Sequence, residues 1–146
     1  MIKIPIQVLV VDDDKEFVDM ISSRLGKAGE RVTPAYSGHE CLDLLRKKDI
    51  DVVLLDIGMP GMNGIQTLKE LKRQFPLVEV IIMTSHGSIQ SAVEGMKLGA
   101  FDYLLKPTEL TELREKLEQA RTRKEEHADR IRRAETRFFL RKIGDV

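Results

Sequence analysis

The sequence predicts an α/β fold, a five-stranded parallel sheet with helices on both faces, and three observations carry that prediction. Short apolar, β-branched runs alternate five times with helix-period segments, without repeats or low-complexity stretches. Such a rhythm calls for crossovers that cover both faces of a sheet. The central run, Val52 to Leu55, is apolar throughout, as a strand buried on both sides must be, and it stops at a carboxylate, Asp56. Polar residues recur where the runs end: Asp12 and Asp13, Asp56, Thr84, and Lys106.

Taken in order, the first strand is Gln7 to Val11, ended by Asp12, Asp13 and Asp14. A helix follows over 15–27, capped by Asp14, with Phe17, Met20, Ile21 and Leu25 facing inward and Gly29 beyond its end. Arg31 to Ala35 is a weaker strand, and Pro34, unable to donate to a ladder, places it at the sheet edge. Ser37 and Glu40 have the spacing of a capping box, opening a helix that turns Cys41, Leu42, Leu44 and Leu45 inward. After the central strand, Gly58, Pro60 and Gly61 forbid its continuation, and Asn63 caps a helix with Ile65, Leu68 and Leu71 at helical spacing. Val78 to Thr84 is the fourth strand. Its helix carries Ile89, Ala92, Val93 and Met96 inward and stops at Gly99. Phe101 to Leu105 is the fifth strand, ending at Lys106 and Pro107.

Composition narrows the class. The 146 residues carry 24 Lys and Arg against 24 Asp and Glu, so the formal net charge is zero and nothing draws the whole chain to nucleic acid or anionic membrane. A hydrophobic share of 42% with 33% charged residues fits a folded, cytoplasmic chain. The one cysteine, Cys41, excludes an internal disulfide and a cysteine-rich zinc site; it reads as a small buried hydrophobe. His39, His86 and His127 lack metal-ligand spacing. The first residues have neither the basic start nor the small-residue cleavage site of a signal peptide, and no window approaches the roughly 20 apolar residues of a membrane span. We expect one domain over 1–120 and a helical extension over 121–146.

The strand-end residues carry the chemistry. In a parallel sheet all carboxyl ends lie on one edge. If the order is the doubly wound 2-1-3-4-5, borrowed from known folds, the first and third strands are neighbours and Asp12 and Asp13 come beside Asp56. Three carboxylates about 5 Å apart repel by on the order of 3 kcal/mol per pair at an effective dielectric of about 20. Lys106 offsets part of this, and an oxygen-preferring divalent cation such as Mg²⁺ offsets the rest. A site so neutralised can take a phosphoryl group, with Asp56 as nucleophile, because phosphoryl transfer needs mainly positioning and charge stabilisation.

These residues carry a resemblance. Val8 to Asp13, Asp56 to Pro60 with Gly64, Ile82 to Thr84, and Phe101 to Pro107, in that order and at these intervals, resemble the receiver domain of bacterial two-component response regulators, which has the flavodoxin-like fold. Gly87 to Val93 and Met96 to Ala100 are most similar to receivers attached to enhancer-binding transcription activators. The resemblance implies that Asp56 is phosphorylated from a histidine-kinase phosphohistidine or a phosphotransfer protein. It implies Mg²⁺ or Mn²⁺ held by Asp13, Asp56 and the Gly58 carbonyl, with Asp12 acting largely through water. Lys106 would pair with the phosphoryl oxygens, across a cis bond to Pro107. Thr84 would bind the phosphoryl group, Tyr103 would move from exposed to buried, and the face of helix four, strand five and helix five would change for a downstream partner or a second copy. Gly58 stands where many relatives carry a side chain that tunes dephosphorylation, and Asn63 stands where aspartate is usual.

Each residue also has a plainer reading. Asp12 and Asp13 could form a polar turn, Tyr103 could be a half-buried strand aromatic, and His86 a solvated loop residue. Two rival functions are an aspartyl-phosphate phosphatase, which usually has a second acid where Gly58 stands, and a constitutive coiled-coil adaptor using the domain as scaffold. A flavodoxin-like cofactor binder would need a phosphate loop after strand one, where Asp12, Asp13 and Asp14 would repel the ligand.

The tail supports the adaptor reading in part. Positions 110, 113, 117, 120, 124, 127, 131, 134, 138 and 141 keep three-four spacing, a heptad seam with apolar ends and a polar middle, and a route to self-association. A helix from Leu110 to Leu140 would run about 46 Å. Segment 130–142 has six Lys or Arg against Glu135; without a folded reading module, direct DNA binding is not expected. No second domain follows in this sequence, so output is expected through protein contact, phosphotransfer, or a module beyond these residues.

Overall fold

The computed structural model describes residues 3–59, 63–85, 89–106 and 108–144. Strands β1 (Gln7–Val11), β2 (Arg31–Ala35), β3 (Val52–Asp56), β4 (Glu79–Thr84) and β5 (Asp102–Leu105) alternate with helices α1 (Lys15–Lys27), α2 (Gly38–Lys47), α3 (Gly64–Gln74), α4 (Ile89–Lys97) and α5 (Leu110–Gly144). The sheet has the order β2-β1-β3-β4-β5, every pairing parallel. The fold class and strand order expected from the sequence are those observed.

Strand alternation divides the core between two faces. Val52 and Leu54 of β3 point to one side, where Val18, Ile21 and Leu25 of α1 and Leu113, Leu117 and Ala120 of α5 cover them. Val53 and Leu55 point to the other, under Cys41, Leu42 and Leu45 of α2, Leu68 and Leu71 of α3, and Ala92 of α4. Burial there pushes the Cys41 thiol up to about 12, so it stays protonated and behaves as a hydrophobe. β2 is one of the two edge strands, and Pro34 lies in it opposite Val10.

The helix starts follow the expected caps with one change. Asp14 accepts from the Phe17 N–H (3.2 Å) and Ser37 from the Glu40 N–H (3.1 Å). Glu40 reaches back not to the Ser37 N–H but one residue further, to Tyr36 (2.8 Å). The full reciprocal box is at α3 instead, where Asn63 and Gln66 satisfy each other's N–H groups.

Two expected inner faces are corrected. On α1, Met20 is exposed and Val18 takes its place in the core. On α4, Val93 and Met96 are exposed at 48% and 37%, while Ala92 and Gly95 face the sheet. The reason is spacing: a Cβ on Gly95 would lie 2.1 Å from Ile82 Cδ1, so α4 sits too near β4 for large side chains on that side. β4 and β5 each start one residue later than expected, and α5 continues past Leu140 to Gly144.

α5 is one helix, but its surroundings change along it. Leu113, Leu117 and Ala120 are buried. Polar ties then replace apolar ones at the amino-terminal edge of the sheet. Lys124 donates to the Ile50 carbonyl (3.1 Å) and pairs with Asp51 (3.1 Å), while Arg121 donates to the Ile4 carbonyl. From Arg130 onward every described residue is exposed, including the seam positions Ile131 and Phe138. Among the described residues no helix is long and apolar enough to cross a membrane.

Two glycines give a test of this packing. A Cβ at Gly64 would meet Ile57 Cα at 2.2 Å and the Asp56 carbonyl oxygen at 2.6 Å, backbone atoms that cannot rotate away. Gly26 lies in α1 with nothing within 4 Å. Urea denaturation should show Gly64→Ala destabilised by about 1–3 kcal/mol and Gly26→Ala stabilised by about 0.5–1 kcal/mol.

Candidate functional site

Parallel pairing puts the carboxyl ends of all five strands on one edge, and the β1–β3 pairing sets Val11 beside Leu55. Asp12 follows β1 and Asp56 closes β3, so the two acids meet without any long loop. The rest of the geometry is built by short local hydrogen bonds. The Asp12 N–H donates to the Ala35 carbonyl (3.1 Å), continuing the β1–β2 ladder by one residue. Asp12 Oδ1 accepts from the Asp14 N–H (3.0 Å), which turns the chain sharply into α1. Across the cleft, Asp56 Oδ1 accepts from the Gly58 N–H (3.1 Å).

Asp12 is buried, Asp13 is exposed, and Asp56 is intermediate, with 15% of its side chain accessible. One carboxylate oxygen from each lies within 4.8 Å of the others. Lys106 is the counter-charge. Its ammonium pairs with Asp12 Oδ2 and stands 3.7 Å from Asp56 Oδ2. Its own N–H donates to the Thr84 carbonyl (2.8 Å), which fixes it at the end of β5. The ammonium also lies 4.3 Å from the centre of the Phe17 ring.

Burial raises the pKa of Asp56 above the ordinary carboxylate range, and the charge of Asp12 adds to the rise. The Gly58 N–H and Lys106 oppose it without cancelling it. The ionised form is thus held at a cost, which a bound cation would relieve. An all-oxygen donor set with one buried and one exposed carboxylate around Asp56 fits a hard divalent ion, Mg²⁺ or Mn²⁺.

The remaining expected site residues are placed as follows. Thr84 is fully buried at the end of β4, on the same edge, and its hydroxyl donates to the Ser85 carbonyl (3.0 Å). Gly58 holds Asp56 through its N–H, and a Cβ there would lie 3.6 Å from Asp56 Oδ1, in ordinary contact. Tyr103, on β5, is 41% exposed. Asp14 is the cap of α1. Pro60, His86 and Pro107, with the cis bond expected at the last, lie outside the described residues. The sequence places Phe17 only on the core face of α1; in the structure it is half-buried and borders the site. The signal available in the sequence was its place three residues after the capping Asp14.

Comparison with known proteins gives the family and bears out the fold. Residues 8–118 match the model of the response regulator receiver domain. Among curated proteins, the chain is 45% identical over 120 residues to the transcriptional regulatory protein ZraR of Salmonella typhimurium, covering 82% of this chain and 27% of that protein. It is also 45% identical over 103 residues to the DNA-binding transcriptional regulator NtrC of Klebsiella pneumoniae, covering 70% of this chain and 22% of that one. The chain thus spans about a quarter of the length of these relatives. Among solved structures, a response regulator receiver domain protein from Clostridium thermocellum superposes with a TM-score of 0.79 at 36% identity, covering 82% of this chain and 97% of that one. NtrX from Brucella abortus gives 0.82 at 27% identity, over 86% of this chain and 29% of that one. These matches do not favour the phosphatase or the scaffold reading.

The raised pKa of Asp56 has a consequence for stability. A carboxyl that holds its proton more tightly when folded destabilises the fold once ionised, and that penalty is complete above the folded pKa. It fades as pH falls and is gone below the unfolded value of about 4. Without divalent cations, Asp56→Asn should therefore be more stable than the parent chain at neutral pH, with the gap closing in acid. Urea denaturation across pH reads it directly.

Proposed function

The chain belongs to the response regulator receiver domain family, and from that membership we propose that it is a phosphorylation-controlled switch whose acceptor is Asp56. The observation that carries the reading is the meeting of Asp12, Asp13 and Asp56 oxygens with the Lys106 ammonium on one sheet edge. Nothing else in the described chain gathers three acids and a base in this way.

The donor is the phosphohistidine of a sensor kinase or a phosphotransfer protein. A carboxylate oxygen of Asp56 forms the new bond to phosphorus, the phosphorus–nitrogen bond breaks, and the electron pair returns to the imidazole nitrogen. When bound, Mg²⁺ supplies charge neutralisation for the phosphoryl oxygens; Asp12, Asp13, Asp56 and the Gly58 carbonyl would hold it. Lys106 pairs with the transferred group, and the Gly58 N–H keeps the Asp56 carboxylate oriented. The protein is an acceptor and not a turnover enzyme: it catalyses its own phosphorylation and loses the group slowly to water. At position 58 glycine offers no side chain to direct that water.

The output surface is the α4–β5–α5 face. Val93, Met96, Tyr103 and Leu105 are all exposed there, from 37% to 48%, beside the ion pair of Lys116 with Asp102 (2.5 Å). Phosphorylation gives Thr84 a new acceptor for the hydroxyl now bonded to Ser85. Ser85 follows the threonine, Tyr103 takes the space released, and a protein partner reads the changed face.

Incubation of the full chain with acetyl phosphate and Mg²⁺ should add one phosphoryl group by intact mass, and Asp56→Asn should add none. Lys106→Ala should slow the reaction by about a hundredfold, the scale for loss of one positioned charge-stabilising group. An adduct on another residue, or no adduct on the parent chain, would defeat the proposal.

A further inference from the structure

Phe17 has no part in the mechanism above, yet it is held against the site by two consecutive turns. Asp12 Oδ1 accepts from Asp14 N–H, and Asp14 Oδ1 accepts from Phe17 N–H. The same carboxylate that faces the cleft thus sets, through one residue, where the ring stands. Phe17 is only half-buried, and Val18, Ile21 and Leu25 already fill the inner face of α1. Part of the ring packs against that core, and the rest borders the site. The ring centre is 4.3 Å from Lys106 Nζ, within cation–π range, and Lys106 is only 21% exposed, so water screens the contact weakly.

The charges around Lys106 must be reshuffled when the site is used. Its near partner is Asp12, and Asp56 is further away, at 3.7 Å. A divalent ion drawn to the three acids competes with the ammonium for Asp12. Lys106 has four linking carbons and many rotamers, and without a second attraction it would be free to leave for solvent. The face of the Phe17 ring is an attraction the cation does not compete for. We propose that Phe17 is a positioning residue, whose ring keeps the Lys106 ammonium over Asp56 when the metal claims Asp12. This rests on the phosphoacceptor reading.

The test grades the electron density of the ring while leaving its shape nearly unchanged. Mono-, di- and trifluorinated phenylalanine are placed at position 17 of the full chain, and the initial rate of phosphorylation by acetyl phosphate with Mg²⁺ is followed by intact mass. The rate should fall stepwise with fluorination, by about three- to tenfold at the trifluorinated ring, with Phe17→Trp at or above the parent rate. In NMR spectra the Lys106 ε-methylene protons should be shifted upfield by the ring and lose that shift in Phe17→Leu. Should Phe17→Leu fail to fold, the fluorinated series still decides. A flat series in a chain that is phosphorylated on Asp56 overturns the positioning role and leaves the acceptor reading intact. A parent chain that takes no phosphoryl group overturns the acceptor reading first and the positioning role with it.

Discussion

Repulsion among three carboxylates is the constraint from which the rest of this molecule follows. A parallel sheet in the order β2-β1-β3-β4-β5 necessarily brings the ends of β1 and β3 together, and this sequence puts an acid at each. The fold tolerates the crowding through a single lysine at the end of β5, which reaches Asp12 across the ends of two strands. Even with that lysine in place, burial first and the charge of Asp12 after it raise the pKa of Asp56. Additional positive charge would relieve the site, which is what the proposed phosphoacceptor role asks for.

The opposite edge of the sheet is built in the reverse sense, for permanence. Asp51, just before β3, accepts from the Gln7 N–H and pairs with Lys124 of α5. Arg123 stands 3.9 Å from buried Glu79 at the start of β4, and its guanidinium lies over Phe101. These ties bind α5 to three strands where they begin, about one turn beyond Ala120, the last buried residue of the helix. Each is an ion pair or charged hydrogen bond near the sheet edge, modest singly, but together they fix the direction in which α5 leaves the domain. Helix nucleation is the costly step, so a helix anchored over its first fifteen residues can propagate at little expense into 130–144, where only pairs such as Asp129 with Arg133 (2.8 Å) support it.

Much of this was legible from the sequence for a physical reason: the strands are short, apolar and punctuated by charges, so their ends could be located to a residue. Asp12, Asp56 and Lys106 were readable because topology alone brings strand ends to one edge. What escaped was information held in distances between elements. The inner face of α4 was misassigned because hydrophobicity points to Val93 and Met96, whereas the close approach to Ile82 admits only Ala92 and Gly95. On α1 hydrophobicity likewise points to Met20, whereas the face that packs is Val18, Ile21 and Leu25, spaced by three and four. Phe17 was seen as apolar and therefore as core. Its relation to Lys106 spans 89 positions in the chain, and no local pattern announces it.

The exposed seam of α5 shows the limit of periodicity as evidence in another way. Ile131, Ala134 and Phe138 continue the stripe that buries Leu113, Leu117 and Ala120, so the pattern is one, yet its meaning changes where the sheet ends. On the same helix Arg130, Arg133 and Arg137 recur at intervals of three and four, forming a basic flank beside that stripe, and Arg141 falls in the stripe itself. Two copies meeting along the apolar stripe would bring these flanks close to one another, and like charges so placed weaken a helix pair. Three apolar seam residues in four turns are few to outweigh that repulsion. The tail therefore has the periodicity of a coiled coil without the charge pattern of a good one; the need to keep one face of α5 on the sheet explains the spacing as far as Ala120 and not beyond Arg130.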